Sequence, residues 1–470
     1  MKKRWLICAL LSLCLLIGCI SVPAFADENE SSCHGISARQ SLDGSRKILE
    51  SAKAVILYEL NTDTMVYSYN ADQRINPTGL VKLLTVMIAL EKGNLNDEVT
   101  VYQSTLNTVA PGSVSAGLKH EEVLTLRELI YCIMVSSAND ACAVVAAHIG
   151  GSQEGFAEMM NAKAAQLGCT GSHFTNPHGL SDPEQYSTAR DLAIITKAAL
   201  ENPFFTALFA VTDHTIAATN KCEERKLTTT NHMMRTEHDS YDSRITGGKP
   251  AAATTTDRSM ICTAEIGTAR YLCVVLSAKA TVSQDGFVIL RYGIFEEVRA
   301  LMNYARDGFE IRQILDDGQS MYQIPVENGE NDVFLRPSGD ISVVLPVDCD
   351  ISMLSFQHTL NTQSCQAPIA QGQRVGKLTI CYGDLVLSSC DLLATTAVDP
   401  AGSTITEAER LDVSLNSGKD AWKKWLSYVF AFLLVALVLA AIAYLIVRAV
   451  RNSKIRDKQR RRARERKRSR

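Results

Sequence analysis

Three short stretches carry the residue types of acyl transfer. Pro77-Thr78-Gly79-Leu80-Val81-Lys82 stands at a helix start, Ser137-Ala138-Asn139 falls in a break between two helical runs, and Lys249-Pro250-Ala251 follows Gly247-Gly248 on a strand-like run. A lysine amine beside a hydroxyl can take its proton, a second hydroxyl can relay it, and backbone N–H groups can hold the developing oxyanion. Positions three apart on a helix lie one turn apart on one side, so Lys82 faces position 79. That position is a glycine, which offers the lysine no hydroxyl to activate. Taken singly, each residue has a plainer reading: Thr78, Ser137 and Asn139 as helix caps, Lys82 and Lys249 as solvated charges.

The elements that must position these residues are legible nearby. Residues 53–70 read as two short strands around the turn Asn61-Thr62-Asp63. After Asn76-Pro77-Thr78, apolar residues at Leu80, Leu83, Leu84, Met87 and Ile88 keep helical spacing up to Lys92-Gly93. Thr125 and Glu128 form a capping box ahead of Leu129, Ile130 and Ile133. The break at Ser136-Ser137-Ala138-Asn139-Asp140 precedes a third apolar helix ending at Gly150-Gly151. Near 245–256 and 260–278 the pattern becomes β-branched, with Gly267 at the connecting turn. From about Asp307 to Pro400 only short strand-like runs such as Ile341–Leu345 and Val375–Ile380 occur between Gly, Pro and Asp turns, which predicts a small all-β domain.

In order and spacing the three stretches resemble the S-x-x-K, S-x-N and K-T-G set of penicillin-binding proteins, and among these the D-alanyl-D-alanine carboxypeptidases. Phe174-Thr175-Asn176-Pro177-His178-Gly179-Leu180, Ser187-Thr188-Ala189-Arg190-Asp191 and Thr230-Asn231-His232 look like supporting stretches of the same family. Ala367-Pro368-Ile369 and Gly372-Gln373-Arg374-Val375-Gly376 resemble its membrane-proximal domain, so the likeness spans about residues 40–400. It implies an α+β fold of β-lactamase and penicillin-binding-protein type, an antiparallel sheet with flanking helices plus a helical subdomain. It also implies a serine-type hydrolysis of terminal D-Ala-D-Ala bonds at peptidoglycan, without a cofactor. Carried over position by position, Gly79 takes the nucleophile's place, Lys82 the base's, Ser137 the proton relay's, Asn139 that of the holder of the substrate amide, and Lys249 that of the residue gripping the substrate carboxylate. Two departures stand out: Gly79 has no side chain, and Lys249-Pro250-Ala251 lacks the hydroxyl of K-T-G and one N–H. The expectation is therefore a degenerate relative that binds stem peptides or cell-wall enzymes. Two other readings are an active carboxypeptidase using Thr78 as nucleophile, and a structural spacer that holds a partner.

The two ends predict an address. Lys2, Lys3 and Arg4 precede an apolar run to Val22 and then Pro23-Ala24-Phe25-Ala26, the pattern of a secretory signal peptide spanning 1–26. Leu16-Ile17-Gly18-Cys19 also loosely resembles a bacterial lipoprotein site. The 23 residues Trp425–Val447 carry no charge, enough at about 1.5 Å each to cross a hydrocarbon core of about 30 Å. Trp422, Trp425 and Tyr428 at one edge and Tyr444 near the other fit an aromatic belt, and the tail 448–470, with 13 Lys/Arg against Asp457 and Glu465, is predicted to stay cytoplasmic. The domain reading is thus 27–306 carboxypeptidase-like, 307–400 all-β, 401–424 stalk, 425–447 transmembrane and 448–470 basic tail, with the main domains outside a bacterial cell membrane.

Of 470 residues, 48 are Lys or Arg and 51 Asp or Glu; without the two ends the balance is 32 against 49, about -17. That excess of acid argues against a nucleic-acid partner. Eleven of the fourteen cysteines lie outside the leader, with no C-x-x-C and no metal-ligand spacing, so neither a disulfide pairing nor a metal site is assigned.

Overall fold

The computed structural model describes residues 48–283, 288–361, 365–383 and 385–402. The segments read as leader, transmembrane helix and basic tail, and nearly all of the stalk, lie outside them. Among the described residues no single helix is long and apolar enough to cross a membrane.

The central sheet has five antiparallel strands. Strand β1 (Ala54–Glu59) turns back through Asp63, at φ +57°, into β2 (Thr64–Tyr69). Much further along the chain come β3 (Ile245–Ala252), β4 (Asp257–Ile266) and β5 (Ala269–Lys279), the last two joined at Gly267 with φ +62°. The spatial order is β2-β1-β5-β4-β3, so β1 pairs with β5, Ala54 opposite Leu276 and Glu59 opposite Tyr271. All six residues of β1 are buried because the sheet is covered on both faces, and an apolar run is what such a strand needs. Glu59 fits there because its carboxylate accepts from Thr62 N (2.7 Å), Thr62 Oγ1 (2.7 Å) and Arg270 N (3.0 Å).

One face, including Ile56, Ile261, Leu272 and Val274, packs on a helical layer. That layer contains α1 (Lys82–Lys92), α2 (Leu126–Met134), α3 (Asn139–Gly150), α4 (Gln153–Gln166), α5 (Ala189–Leu200) and α6 (Pro203–Phe209). The other face, with Leu57, Met260, Cys262 and Val275, is closed by α7 (Gly293–Gly308) through Ile294, Val298 and Leu301. Thr125 caps α2 as expected, its Oγ1 accepting from Glu128 N at 3.2 Å. Helix α1 departs from a one-sided stripe: Lys82 through Ala89 are all buried, since α1 runs through the middle of its layer. Its glycine stop also has a different cause. Gly93 is extended (φ -102°), not left-handed, and is required because a Cβ would lie 2.4 Å from Leu126 Cδ2 and 2.8 Å from Ile149 Cδ1.

From Phe309 onward the described chain has strands, turns and the 3-10 turn Ile351–Met353, with no α-helix among the described residues. Five of its strands, Tyr322–Ile324, Val333–Pro337, Leu354–Leu360, Arg374–Tyr382 and Leu385–Ala394, make a second sheet. The chain forms two compact units. Among the described residues, one comprises 48–316, Asp340–Gln357 and Thr379–Ser389; the other comprises Asp317–Gly339, His358–Leu378 and 390–402. In the first, strand Phe309–Leu315 pairs with Ile341–Pro346, and Phe309 and Val344 join the core under α7.

Candidate active site

The chain enters α1 through a 3-10 turn, Thr78–Val81, preceded by Pro77. Thr78 sits at φ +51°, strained for a β-branched residue, and its N–H donates to Asn76 Oδ1 at 2.9 Å. The strain is held from behind by Gly179, at φ +81°, where a Cβ would stand 1.9 Å from Thr78 O. Thr78 is therefore no cap: the cap position is Pro77, and the Thr78 hydroxyl is buried without a hydrogen-bond partner. Nor do Ser137 and Asn139 cap α3, whose cap position is Ala138 with no side-chain bond.

Lys82 is 2% exposed, contrary to the solvated-charge reading. Its Nζ donates to His178 O, and one turn on Thr85 Oγ1 donates to Pro177 O at 2.7 Å, pinning α1 to the loop 177–179. Burial lowers the Lys82 amine from its ordinary value, which favours the neutral form a proton acceptor needs. Ser137 lies in the break between α2 and α3 at φ +61°. Asn139, buried, opens α3, and its N–H donates to Val114 O at 2.8 Å.

Lys249, on edge strand β3, is likewise 2% exposed. Its Nζ donates to Ile133 O (3.0 Å) and Met134 O (3.2 Å) at the end of α2. Burial, together with the charge of Lys82, brings its amine down to about 7. The neighbouring Cys142 thiol is pushed up to about 11 by burial and is no candidate nucleophile. Pro250 pairs with Met260 of β4 without breaking the register there, and the edge position of β3 is where a strand tolerates proline.

These elements converge on Gly79. A Cβ built there lies 3.4 Å from Ala251 Cβ, 3.5 Å from Lys82 Nζ and 3.8 Å from Ser137 Oγ. Each is an ordinary contact, so a side chain would fit, and a hydroxyl one bond further out would reach hydrogen-bonding range of Lys82 and Ser137. The structure thus brings Gly79, Lys82 and Ser137 together, with Lys249 close enough to feel the charge of Lys82; Asn139 follows two residues after Ser137 at the start of α3.

Three residues gain a role that the sequence alone does not assign them. The loop Pro177-His178-Gly179 stands out in the sequence only by family likeness, although a glycine after Pro-His is a signal for a left-handed turn. Burial, reinforced by Lys82, brings its His178 imidazole down to about 4, so the ring is neutral. Asp140 was passed over: its carboxylate accepts from Ser115 Oγ (2.6 Å), Ala116 N (3.0 Å) and Leu118 N (3.1 Å), fixing the loop beside Asn139. The Ala251 methyl faces Gly79, a contact that no local pattern announces.

Comparison with known proteins agrees with this geometry. Residues 44–280 match the D-alanyl-D-alanine carboxypeptidase family model and residues 309–400 that of the penicillin-binding protein 5 C-terminal domain. The D-alanyl-D-alanine carboxypeptidase DacF of Bacillus subtilis is 26% identical over 372 residues, 78% of this chain and 91% of that protein. DacD of Salmonella typhimurium is 27% identical over 364 residues, 75% of this chain and 87% of its own. The crystal structure of penicillin binding protein 5 from Haemophilus influenzae superposes with a TM-score of 0.61 at 27% identity, covering 76% of this chain and 100% of that one. With two family models in the right order over the two sheets, and a buried lysine and a half-buried serine around position 79, the chain belongs to the D-alanyl-D-alanine carboxypeptidase family, whose members act on peptidoglycan.

Proposed function

We propose that this family member is catalytically impaired and serves as a binding or regulatory protein for peptidoglycan stem peptides or cell-wall enzymes. The observation that carries this reading is Gly79, a position with no side chain at the point where Lys82 and Ser137 converge. Loss of a serine nucleophile costs about 10⁶-fold in turnover elsewhere, roughly 8 kcal/mol of barrier. Thr78 is a poor substitute because its hydroxyl is buried. Lys249 keeps the place that the family likeness gives to the residue gripping the substrate carboxylate, which favours a binding role over a spacer. The charge-free run Trp425–Val447, the leader 1–26 and the basic tail support a single-pass protein whose main domains face outward and whose tail is cytoplasmic.

The test is fluorescent-penicillin labelling of the full-length protein beside Gly79→Ser, and Gly79→Ser combined with Pro250→Thr and Ala251→Gly. The unaltered protein is expected to stay dark and a repaired variant to label. Stoichiometric labelling of the unaltered protein would overturn the reading and point to Thr78. Binding of a D-Ala-D-Ala peptide by the unaltered protein separates the binding role from the spacer.

A further inference from the structure

We infer that the space beside Gly79 holds an attacking water, so that this chain hydrolyses its peptide directly, slowly and without an acyl-enzyme. The inference rests on the reading above for the identity of the substrate, and it concerns the activity that remains when the nucleophile is gone. The Cβ position of Gly79 is 3.5 Å from Lys82 Nζ and 3.8 Å from Ser137 Oγ, and Gly79 itself is only half-buried. Outside Gly79 and its chain neighbours no atom lies closer than 3.4 Å to that Cβ position, so a water seated just beyond it, at non-bonded distance from Gly79 Cα, faces two polar partners, the minimum for an ordered site. Lys82 is oriented by its bond to His178 O, and its burial favours the neutral amine, which can accept a proton from water.

The step balances without a co-reactant other than water. The water oxygen bonds to the scissile carbonyl carbon while Lys82 Nζ takes its proton. The carbonyl C–N bond then breaks, and the leaving amine receives that proton through the Ser137 hydroxyl, returning Lys82 to the free amine. The products are the shortened peptide acid and free D-alanine, with nothing oxidised or reduced. Such a route never places an acyl group on the protein, so it is compatible with failure to bind penicillin covalently.

The experiment incubates the full-length protein with an N-acetylated Lys-D-Ala-D-Ala peptide for days and quantifies released D-alanine, while intact-mass spectrometry looks for an acyl adduct. We expect release above the blank, no adduct, and no transfer of the acyl group to added hydroxylamine. Lys82→Met should lower release by about 10²–10⁴-fold, the usual contribution of a positioned general base. Gly79→Ala supplies a second variant. Its methyl makes only ordinary contacts and leaves Lys82 in place, but it occupies the water's space and should lower release at least tenfold. Release unchanged in both variants, or no release from a protein that still binds the peptide, overturns the water route and leaves the impaired reading standing. An acyl adduct on the unaltered protein overturns both.

Discussion

Lys249 offers a test in which the structure dictates both sign and crossover. Its amine, ordinarily near 10.5, is brought to about 7 in the folded protein. At about 1.4 kcal/mol for each tenfold change, holding it there costs folding about 4 kcal/mol at pH 7. In Lys249→Met the unbranched side chain fills similar space, but the carbonyls of Ile133 and Met134 lose a donor each, at about 1 kcal/mol apiece. The variant should therefore be more stable than the parent by about 2 kcal/mol at pH 7. Between 7 and 10.5 the unfolded parent binds more protons than the folded one, so the parent's stability rises with pH and the variant's does not share that rise. The two should cross near pH 9, at about half of the logarithmic span, and the parent should be the more stable above it. Paired denaturant titrations at pH 7, 8, 9 and 10 read this directly. A variant that is less stable at every pH by a constant amount would refute the argument, because it would mean that the buried amine is not held in its neutral form. A confirmed crossover would show that the fold keeps a destabilising buried amine in place, as expected of a group retained for function and not for stability.

Three further outcomes follow from named contacts. Gly179→Ala should fail to fold or lose at least 2 kcal/mol of stability, since φ is +81° and the methyl would meet Thr78 O at 1.9 Å; near-parental thermal unfolding would contradict the clamp. Asp140→Ala removes the acceptor for Ser115, Ala116 and Leu118 and should destabilise by about 2–4 kcal/mol while exposing the stretch around Gly112 and Gly117 to limited proteolysis; an unchanged cleavage pattern would show that the loop is held elsewhere. Thr125→Ala should cost about 1 kcal/mol, measured as a shift in denaturant midpoint, and a neutral result would mean that the Glu128 N–H finds water instead.

Sequence alone was sufficient wherever the signal is local. The turn at Asp63, the capping box at Thr125, the turn at Gly267 and the α+β division all depend on residues within one element or its immediate neighbours. So does the chemical departure at position 79, because a glycine lacks a hydroxyl in any fold. What tertiary structure decided is everything that depends on residues far apart in the chain. Ala54 meets Leu276, Lys82 meets His178, Lys249 meets Ile133, and Ala251 faces Gly79. A lysine in a helical sequence looks solvated because charge alone favours water. Only the layers packed around Lys82 and Lys249 remove that water, lower both amines and turn two ordinary cations into the chemistry of a site. Likewise Gly93 reads as a stop, yet its need for hydrogen in place of Cβ comes from Leu126 and Ile149, supplied by other helices. Periodicity reports which side of an element is buried, whereas the identity of what covers it is set by packing between elements.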